Sequence, residues 1–298
     1  MRPYYYKIII LLLLPGLIAL PVFFSARADI QRAEAALAEG RRLEAVADLE
    51  HAATILFWRD DLRERAGQAA FYGGDFYEAV RLLAQVENLS VNGWANLGEA
   101  YYQLGRYNES ADAFQRGLAM HGPSVRLYRG QVLVFDAQGN FEAEIEALIN
   151  YISVDNKDAA IHHRLGLLLS IFAPEDALTE LMTSAKLDEA YDPAVQSMRS
   201  ALNLAGIQTD ESERMVMVGR GLGLVQEWQL AREAFQRAVN ADESNADAWA
   251  WLGEAMQHLG LDGGAEMERA VRLEPFSANV PSKSKANTRR YMTSLPLV

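Results

Sequence analysis

The feature that most constrains the fold is a sequence pattern that occurs twice. The first copy runs from Trp94 to Tyr101 and places Trp, Leu-Gly and Tyr at offsets of three, one and three residues. The second copy starts at Trp249 and keeps the same spacing, with Met256 in place of the Tyr. A pattern that returns at a fixed period indicates stacked copies of one small unit. That period is 34 residues, the separation of Gly40 from Gly74, Gly105 from Gly139, and Gly219 from Gly253.

The spacing inside each copy predicts a helix that packs on one side. Offsets of three and four residues place Trp94, Leu97 and Gly98 on a single helical face. Because Gly98 has no side chain, we expect Phe114 of the next helix to pack into the space it leaves. We expect Trp94 and Trp249 to lie in the core between helices, where truncation of a buried Trp generally costs about 3–5 kcal/mol.

The second helix of each unit has its own pattern, a small residue followed by a large apolar one and another small one. Ala231, Phe235 and Ala238 fit it, as do residues 45, 49 and 52. With the 34-residue period, these residues resemble bacterial members of the tetratricopeptide-repeat family over residues 29–275. The resemblance implies an all-α fold, a right-handed superhelical solenoid of antiparallel helix pairs.

The repeats predict about seven units with two irregular places. The array divides into residues 29–192 and 212–277, separated at 193–211 by a degenerate repeat or a hinge. The short spacing from Gly74 to Gly105 predicts a trimmed loop around Asn88. Residues 278–298 are polar and basic, which predicts a disordered tail or a weak capping helix.

The N-terminus reads as a membrane-targeting segment. Arg2 and Lys7 precede an apolar run to Phe24, and Ala26 and Ala28 form a small-residue cleavage pattern. Residues 1–28 are therefore predicted to be a cleaved signal peptide or an uncleaved transmembrane anchor. Both alternatives place residues 29–298 outside the cytoplasmic membrane, either membrane-anchored or secreted.

Composition and motifs argue against several classes of function. A net charge of −12 disfavours nucleic acid as a partner, because phosphate binding needs a basic surface. The sequence has no cysteine and no phosphate-binding loop or hydrolase motif, so we predict no catalytic residues, no metal site and no cofactor. His162 and His163 are adjacent on a helix and form a poor chelate. We expect the histidines to lie on the surface or in a groove.

The resemblance implies that the first helix of each unit lines a concave groove. Relatives that clamp a carboxylate use lysines and asparagines there, but no lysine of this chain falls on a groove position. Arg126 and Arg129 are the nearest substitute, and Arg220 comes near them only if the solenoid curls tightly. We expect Tyr102 and Arg129 to contribute most to peptide capture. The groove positions are Glu64, Gln68, Asn92, Glu99, Tyr102, Gln103, Arg126, Arg129, His163, Glu213, Arg220, Asp247, Glu254, Gln257 and His258.

The resemblance and the absence of catalytic motifs favour a non-catalytic interaction scaffold that holds a peptide or helix of a protein partner. An accessory subunit of an envelope or polysaccharide-assembly enzyme complex is the alternative, by analogy of fold. A free-standing enzyme is the third hypothesis. The sequence leaves the oligomeric state open.

Overall fold

The computed structural model describes the backbone of residues 3–274 and the side chains of residues 21–274. Within this range the fold is all-α, with fifteen α-helices and no β-strand. The all-α fold of helix pairs that the sequence predicts is therefore confirmed. The chain divides into two compact units, one ending at Val154 and the other beginning at Asp155.

Unit 1 consists of consecutive helix pairs in which the connections are short. The first pair is joined by a turn at residues 39–41, and its two helices run antiparallel, since Asp29 meets His51 and Arg32 meets Asp48. The helices are α1 (Pro3–Ala38), α2 (Arg42–Ile55), α3 (Asp60–Tyr72), α4 (Phe76–Leu83), α5 (Val91–Gln103), α6 (Tyr107–His121), α7 (Val125–Gln138) and α8 (Phe141–Val154).

Unit 2 has the same organisation with one extra helix, α11, which packs against α12. A 3-10 turn at Glu189–Tyr191 precedes α11. The helices are α9 (Ala159–Phe172), α10 (Pro174–Leu187), α11 (Asp192–Gly206), α12 (Glu211–Leu224), α13 (Trp228–Ala241), α14 (Ala246–His258) and α15 (Gly264–Leu273). Helix α11 occupies most of residues 193–211; a hinge there, and the array bounds on either side of it, stay predictions.

Glycines on the first helices bring each pair close together, as predicted. A Cβ at Gly98 would lie 2.6 Å from the ring of Phe114, and a Cβ at Gly219 would lie 2.5 Å from Phe235. Phe114 and Phe235 are both buried, with at most 1% of their surface exposed. The ring of the second helix therefore fills the space that the glycine of the first helix leaves open.

The two repeat tryptophans differ in burial, and the prediction for one of them is wrong. Trp94 is 6% exposed and belongs to the core. Trp249 is only partly buried, and its indole N–H donates to the carbonyl of Glu243 at 2.9 Å. Trp251, two residues further on, packs instead against the buried Phe235, with ring centroids 6.0 Å apart. The repeat position of Trp249 thus does not carry the core contact in this copy.

The irregular spacing in unit 1 shortens a helix. Helix α4 has 8 residues, whereas α2 has 14 and α6 has 15. The connection from α4 to α5 spans residues 84–90 and is no shorter than the neighbouring connections. The residues missing from this repeat are therefore missing from helix α4, and not from the loop around Asn88 as the sequence predicts.

Two predicted segments lie wholly or partly outside the described residues. The tail at 278–298 is outside them, and so are the side chains of residues 1–20 in the predicted signal or anchor. Among the described residues, no helix combines the length and the apolar character needed to cross a bilayer.

Candidate functional site

The predicted groove residues all lie on the first helices of their pairs. Those of unit 1 are Glu64 and Gln68 on α3, Asn92, Glu99, Tyr102 and Gln103 on α5, and Arg126 and Arg129 on α7. Those of unit 2 are His163 on α9, Glu213 and Arg220 on α12, and Asp247, Glu254, Gln257 and His258 on α14. Each unit presents its own set.

In unit 1 the groove side chains bind one another. Arg126 donates to the side-chain oxygens of Asn92 at 2.8 Å and of Asn96 at 2.6 Å, and lies 3.6 Å from the carboxylate of Glu99. Asn96 is fully buried, so its amide oxygen depends on this contact. We refer to residues 92, 96, 99, 126 and 129 as the α5–α7 surface. Its central arginine hydrogen-bonds two side chains and forms an ion pair with a third.

Four of the other groove residues of unit 1 are also engaged, while Gln103 is exposed. Arg129 donates to the hydroxyl of the buried Tyr151 at 2.7 Å. The ring of Tyr102 lies 5.6 Å from that of Tyr107. On α3, Gln68 donates to Glu64 at 2.9 Å, and the same carboxylate accepts from the backbone N–H of Ser90 at 3.2 Å. These contacts hold neighbouring helices together and reduce what is available to a partner.

In unit 2 the groove face of α14 carries a stripe that faces Arg220 of α12. Asp247, Trp251, Glu254 and His258 follow one another at helical spacings of three and four residues. The guanidinium of Arg220 lies 5.2 Å from the ring centre of Trp251, a cation–π contact. We refer to these five residues as the α12–α14 surface.

Arg220 is half-buried between an aromatic ring and an acidic group, whereas Arg126 binds two asparagines. Burial lowers the pKa of Arg220, and the charge of Asp247 raises it in part. A guanidinium has five N–H donors in a planar fork, which suits the carboxylate or carbonyl group of a partner placed over Trp251.

Glu254 is a buried carboxyl without a compensating charge. It is 4% exposed, and its Oε1 has no hydrogen-bond partner among the described residues. The nearest basic group is the imidazole of His258, whose Nε2 lies 4.0 Å from that oxygen. Burial raises the pKa of Glu254 to about 7 and lowers the pKa of His258. Near neutrality the carboxyl is thus partly protonated, and its O–H can donate a hydrogen bond.

Two histidines of unit 2 stack on aromatic rings. His258 lies flat on Trp228, with centroids 3.6 Å apart and planes 3° from parallel. His163 lies 4.5 Å from Tyr191, and its pKa is lowered by burial and by the charge of Arg164. Both rings therefore tend to remain neutral near pH 7, and they extend the apolar part of the unit 2 face.

Comparison with known proteins identifies the repeats. Residues 95–153 and 225–278 match a family model described as a tetratricopeptide repeat. Together the two matches cover less than half of the chain. The first covers most of α5 with α6, α7 and most of α8, and the second covers α13, α14 and α15. The α5–α7 and α12–α14 surfaces each include residues from these segments. No curated protein matches the chain.

Solved structures agree with the tetratricopeptide fold. A crystal structure of MamA protein is 17% identical, with a TM-score of 0.51, and the match covers 55% of this chain and 92% of that chain. YrrB, titled a TPR protein with an unusual peptide-binding site, is 13% identical with a TM-score of 0.34, covering 69% of this chain and 95% of that one. Identities this low support the fold of the MamA match and leave function open.

Several residues that build these surfaces do not follow from the repeat pattern. Asn96, Tyr151 and Trp228 each contact a predicted groove residue, and Trp251 forms the centre of the α12–α14 surface. The sequence could have placed Trp251 on the groove face, because it completes the spacing of three and four residues between Asp247, Glu254 and His258. Tyr151 and Trp228 lie on second helices, which the tetratricopeptide groove model leaves out.

The prediction for His162 is wrong. His162 is 5% exposed, and its ring nitrogens contact the carboxylate of Glu180 at 2.6 Å and the carbonyl of Asn156 at 3.0 Å. It is a buried residue that ties α9 to α10 rather than a surface or groove residue.

A separate cavity of about 420 Å³ opens beside the shortened helix α4. Leu83, Val86, Trp94, Leu97 and Ala113 are buried residues in its lining, and exposed charged side chains such as Glu87 also line it. A longer second helix would extend past Leu83 toward this space. None of the predicted groove residues lines this cavity.

Proposed function

We propose that this protein is a non-catalytic scaffold that acts outside the cytoplasmic membrane, tethered or released at its N-terminus. Tetratricopeptide repeats support the scaffold role, because the fold is that of protein-interaction modules. The signal-like order of charge, apolar run and small residues in 1–28 supports the location. The partner is a peptide or helix of another protein.

The α12–α14 surface is the proposed contact. The observation that carries it is Arg220, whose half-buried guanidinium, with its N–H donors, lies 5.2 Å from the ring centre of Trp251. A partner carboxylate or a row of backbone carbonyls satisfies those donors, while Trp251 and the Trp228–His258 stack provide flat apolar contact. Glu254 adds a donor while its carboxyl is protonated.

The charge and burial of this surface also indicate which peptides it favours. Arg220 attracts an acidic group, and ionised Glu254 repels one nearby. The surface therefore favours a peptide with an acidic residue beside an apolar or aromatic one, and it binds such a peptide more tightly below pH 7 than above it.

Site-specific photo-crosslinking in intact cells tests the proposal. A photoreactive residue replaces Gln257, which is exposed on α14, and in the control it replaces Gln236, which is exposed on α13. We expect a discrete protein adduct from position 257, absent from position 236 and lost on Arg220→Gln. Equal adducts from both positions, or adducts that persist in Arg220→Gln, would contradict the groove assignment.

A further inference from the structure

Four aromatic side chains at one end of unit 1 are exposed without a polar or structural reason. Phe23 is 50% exposed, Phe24 60%, Phe57 73% and Trp58 63%. Phe57 and Trp58 pack edge to face, with centroids 5.1 Å apart. Exposed large apolar residues that cluster mark a contact surface. We call these four residues the aromatic collar.

The first helix pair brings the four residues to the same level. Contacts between Asp29 and His51 and between Arg32 and Asp48 fix an antiparallel register, in which each step back along α1 matches a step forward along α2. Five residues beyond Asp29, this register places Phe24 level with the end of α2, where Phe57 and Trp58 follow. The collar therefore lies at the level at which α1 leaves the packed repeats.

The sequence on the other side of the collar is almost entirely apolar. From Ile8 to Phe24 it contains no charged residue. Aromatic side chains, Trp above all, concentrate where an apolar segment meets the headgroups of a bilayer, because the ring suits both surroundings. We propose that the aromatic collar lies in the headgroup region of a lipid bilayer and seats the first repeat directly on the membrane. This inference rests on the extracytoplasmic location proposed above. Of the two alternatives for residues 1–28, it adopts the uncleaved anchor.

Packing at the base of α1 favours the uncleaved form. Ala26, in the predicted cleavage pattern, is completely buried in the core of unit 1. Asp29, which would become the new N-terminus, is 4% exposed and bound to His51 at 2.7 Å. Helix α1 runs through both positions without a break. No flexible linker separates the collar from the repeats, so the repeats and the collar form one body.

Quenching of Trp fluorescence by brominated lipid tests the collar. The full chain is reconstituted into phosphatidylcholine vesicles whose acyl chains carry bromine near the headgroup, and vesicle flotation verifies insertion. We expect quenching in the native sequence that is mostly lost in Trp58→Phe. Trp249→Phe is the matched control, because Trp249 is a partly exposed tryptophan of unit 2, and this variant keeps the quenching.

Three results would overturn the collar: a chain that does not float with the vesicles, absence of quenching, or equal quenching in Trp58→Phe and the native sequence. Because Trp58 is exposed, its replacement leaves the fold intact, which circular dichroism verifies. If the photoreactive residue at position 257 gives no adduct but lipid quenching is observed, the proposed α12–α14 contact is wrong and the collar proposal stands. If the adduct forms but lipid quenching is absent, the collar proposal is wrong and the α12–α14 contact stands.

Discussion

Helices α5 and α14 carry the same four groove positions with different chemistry. In α5 they are Asn92, Asn96, Glu99 and Gln103, and in α14 they are Asp247, Trp251, Glu254 and His258. Arg126 of α7 binds the first three of the α5 set. In α14, the ring of Trp251 packs on Arg220 of α12, and Oε1 of the buried Glu254 has no hydrogen-bond partner among the described residues.

We infer from this difference that a side chain at a groove position can either stabilise the stacking of the repeats or remain available to a partner. When neighbouring first helices supply complementary polar groups, as in unit 1, the contacts fix the stacking of repeats and leave little for a ligand. When the central position is aromatic, as in unit 2, a half-buried arginine packs against the ring. A half-buried cation and a buried neutral carboxyl cost stability, so their presence is consistent with a binding role.

The largest expected contrast concerns the two repeat tryptophans. Trp94→Ala removes a side chain that is 6% exposed, and we expect a loss of about 3–5 kcal/mol. Trp249→Ala removes a partly exposed ring, so the loss is smaller. Hydrogen exchange by mass spectrometry should show the Trp94→Ala damage concentrated in α4, α5 and α6, because repeats contact mainly their neighbours. Equal losses in the two variants would break the comparison.

The second contrast is between Glu254 and Glu99, and it concerns how replacement by Gln changes the stability of the protein at different pH values. Burial raises the folded-state pKa of Glu254 to about 7, above its ordinary 4.5. The folded protein therefore retains a proton that the unfolded chain releases, and the free energy of unfolding falls as pH rises from about 4.5 to about 7. Glu254→Gln mimics the protonated form, so at pH 8 it should stabilise the C-terminal repeats by up to about 3 kcal/mol. Below pH 4.5 it should have little effect.

Glu99→Gln is the matched control for that prediction. Glu99 is partly exposed and lies beside Arg126, so its replacement removes a weak ion pair and should cost about 1 kcal/mol or less at pH 8. Local unfolding free energies from hydrogen exchange at pH 5 and pH 8 separate the two variants. A stabilisation by Glu254→Gln that is as large at pH 5 as at pH 8 would argue against the burial of an ionisable carboxyl.

The smallest contrast concerns the stability effects of the two arginines. Arg126→Gln removes hydrogen bonds to Asn92 and the buried Asn96, and we expect a loss of about 1–2 kcal/mol in unit 1. Arg220→Gln relieves a partly desolvated charge and loses the ring contact and the attraction of Asp247, so we expect the stability of unit 2 to change by less. Thermal unfolding of both variants measures the difference. A larger loss for Arg220→Gln would show that Arg220 has a structural role.

The repeat pattern predicts the parts of this molecule that depend on local spacing. It predicted the all-α fold, the close approach of Gly98 to Phe114 and the core position of Trp94. Such features follow from which residues share a helical face, and that can be read along the chain.

Features that depend on neighbouring helices were not predictable in this way. The pairing of Arg126 with Asn96, the burial of His162 against Glu180 and the place of Trp251 under Arg220 each join residues from different helices. The pattern also predicted that Trp249 lies in the core, because the family has a core Trp at that position. It carries no information about Trp251, the ring that packs against Phe235. The shortened helix α4 was misplaced for a similar reason, since a change in period shows how many residues are missing but not where.

The most direct test of the account compares Arg220 with Arg126 in partner binding. The partner segment identified by crosslinking at Gln257 is synthesised, and its affinity for the native chain, Arg220→Gln and Arg126→Gln is measured by fluorescence anisotropy at pH 6.5. We predict that Arg220→Gln weakens binding about tenfold or more, as expected for loss of a charge-assisted hydrogen bond, and that Arg126→Gln leaves the affinity unchanged. Equal affinities for all three proteins, or a greater loss in Arg126→Gln, would contradict it.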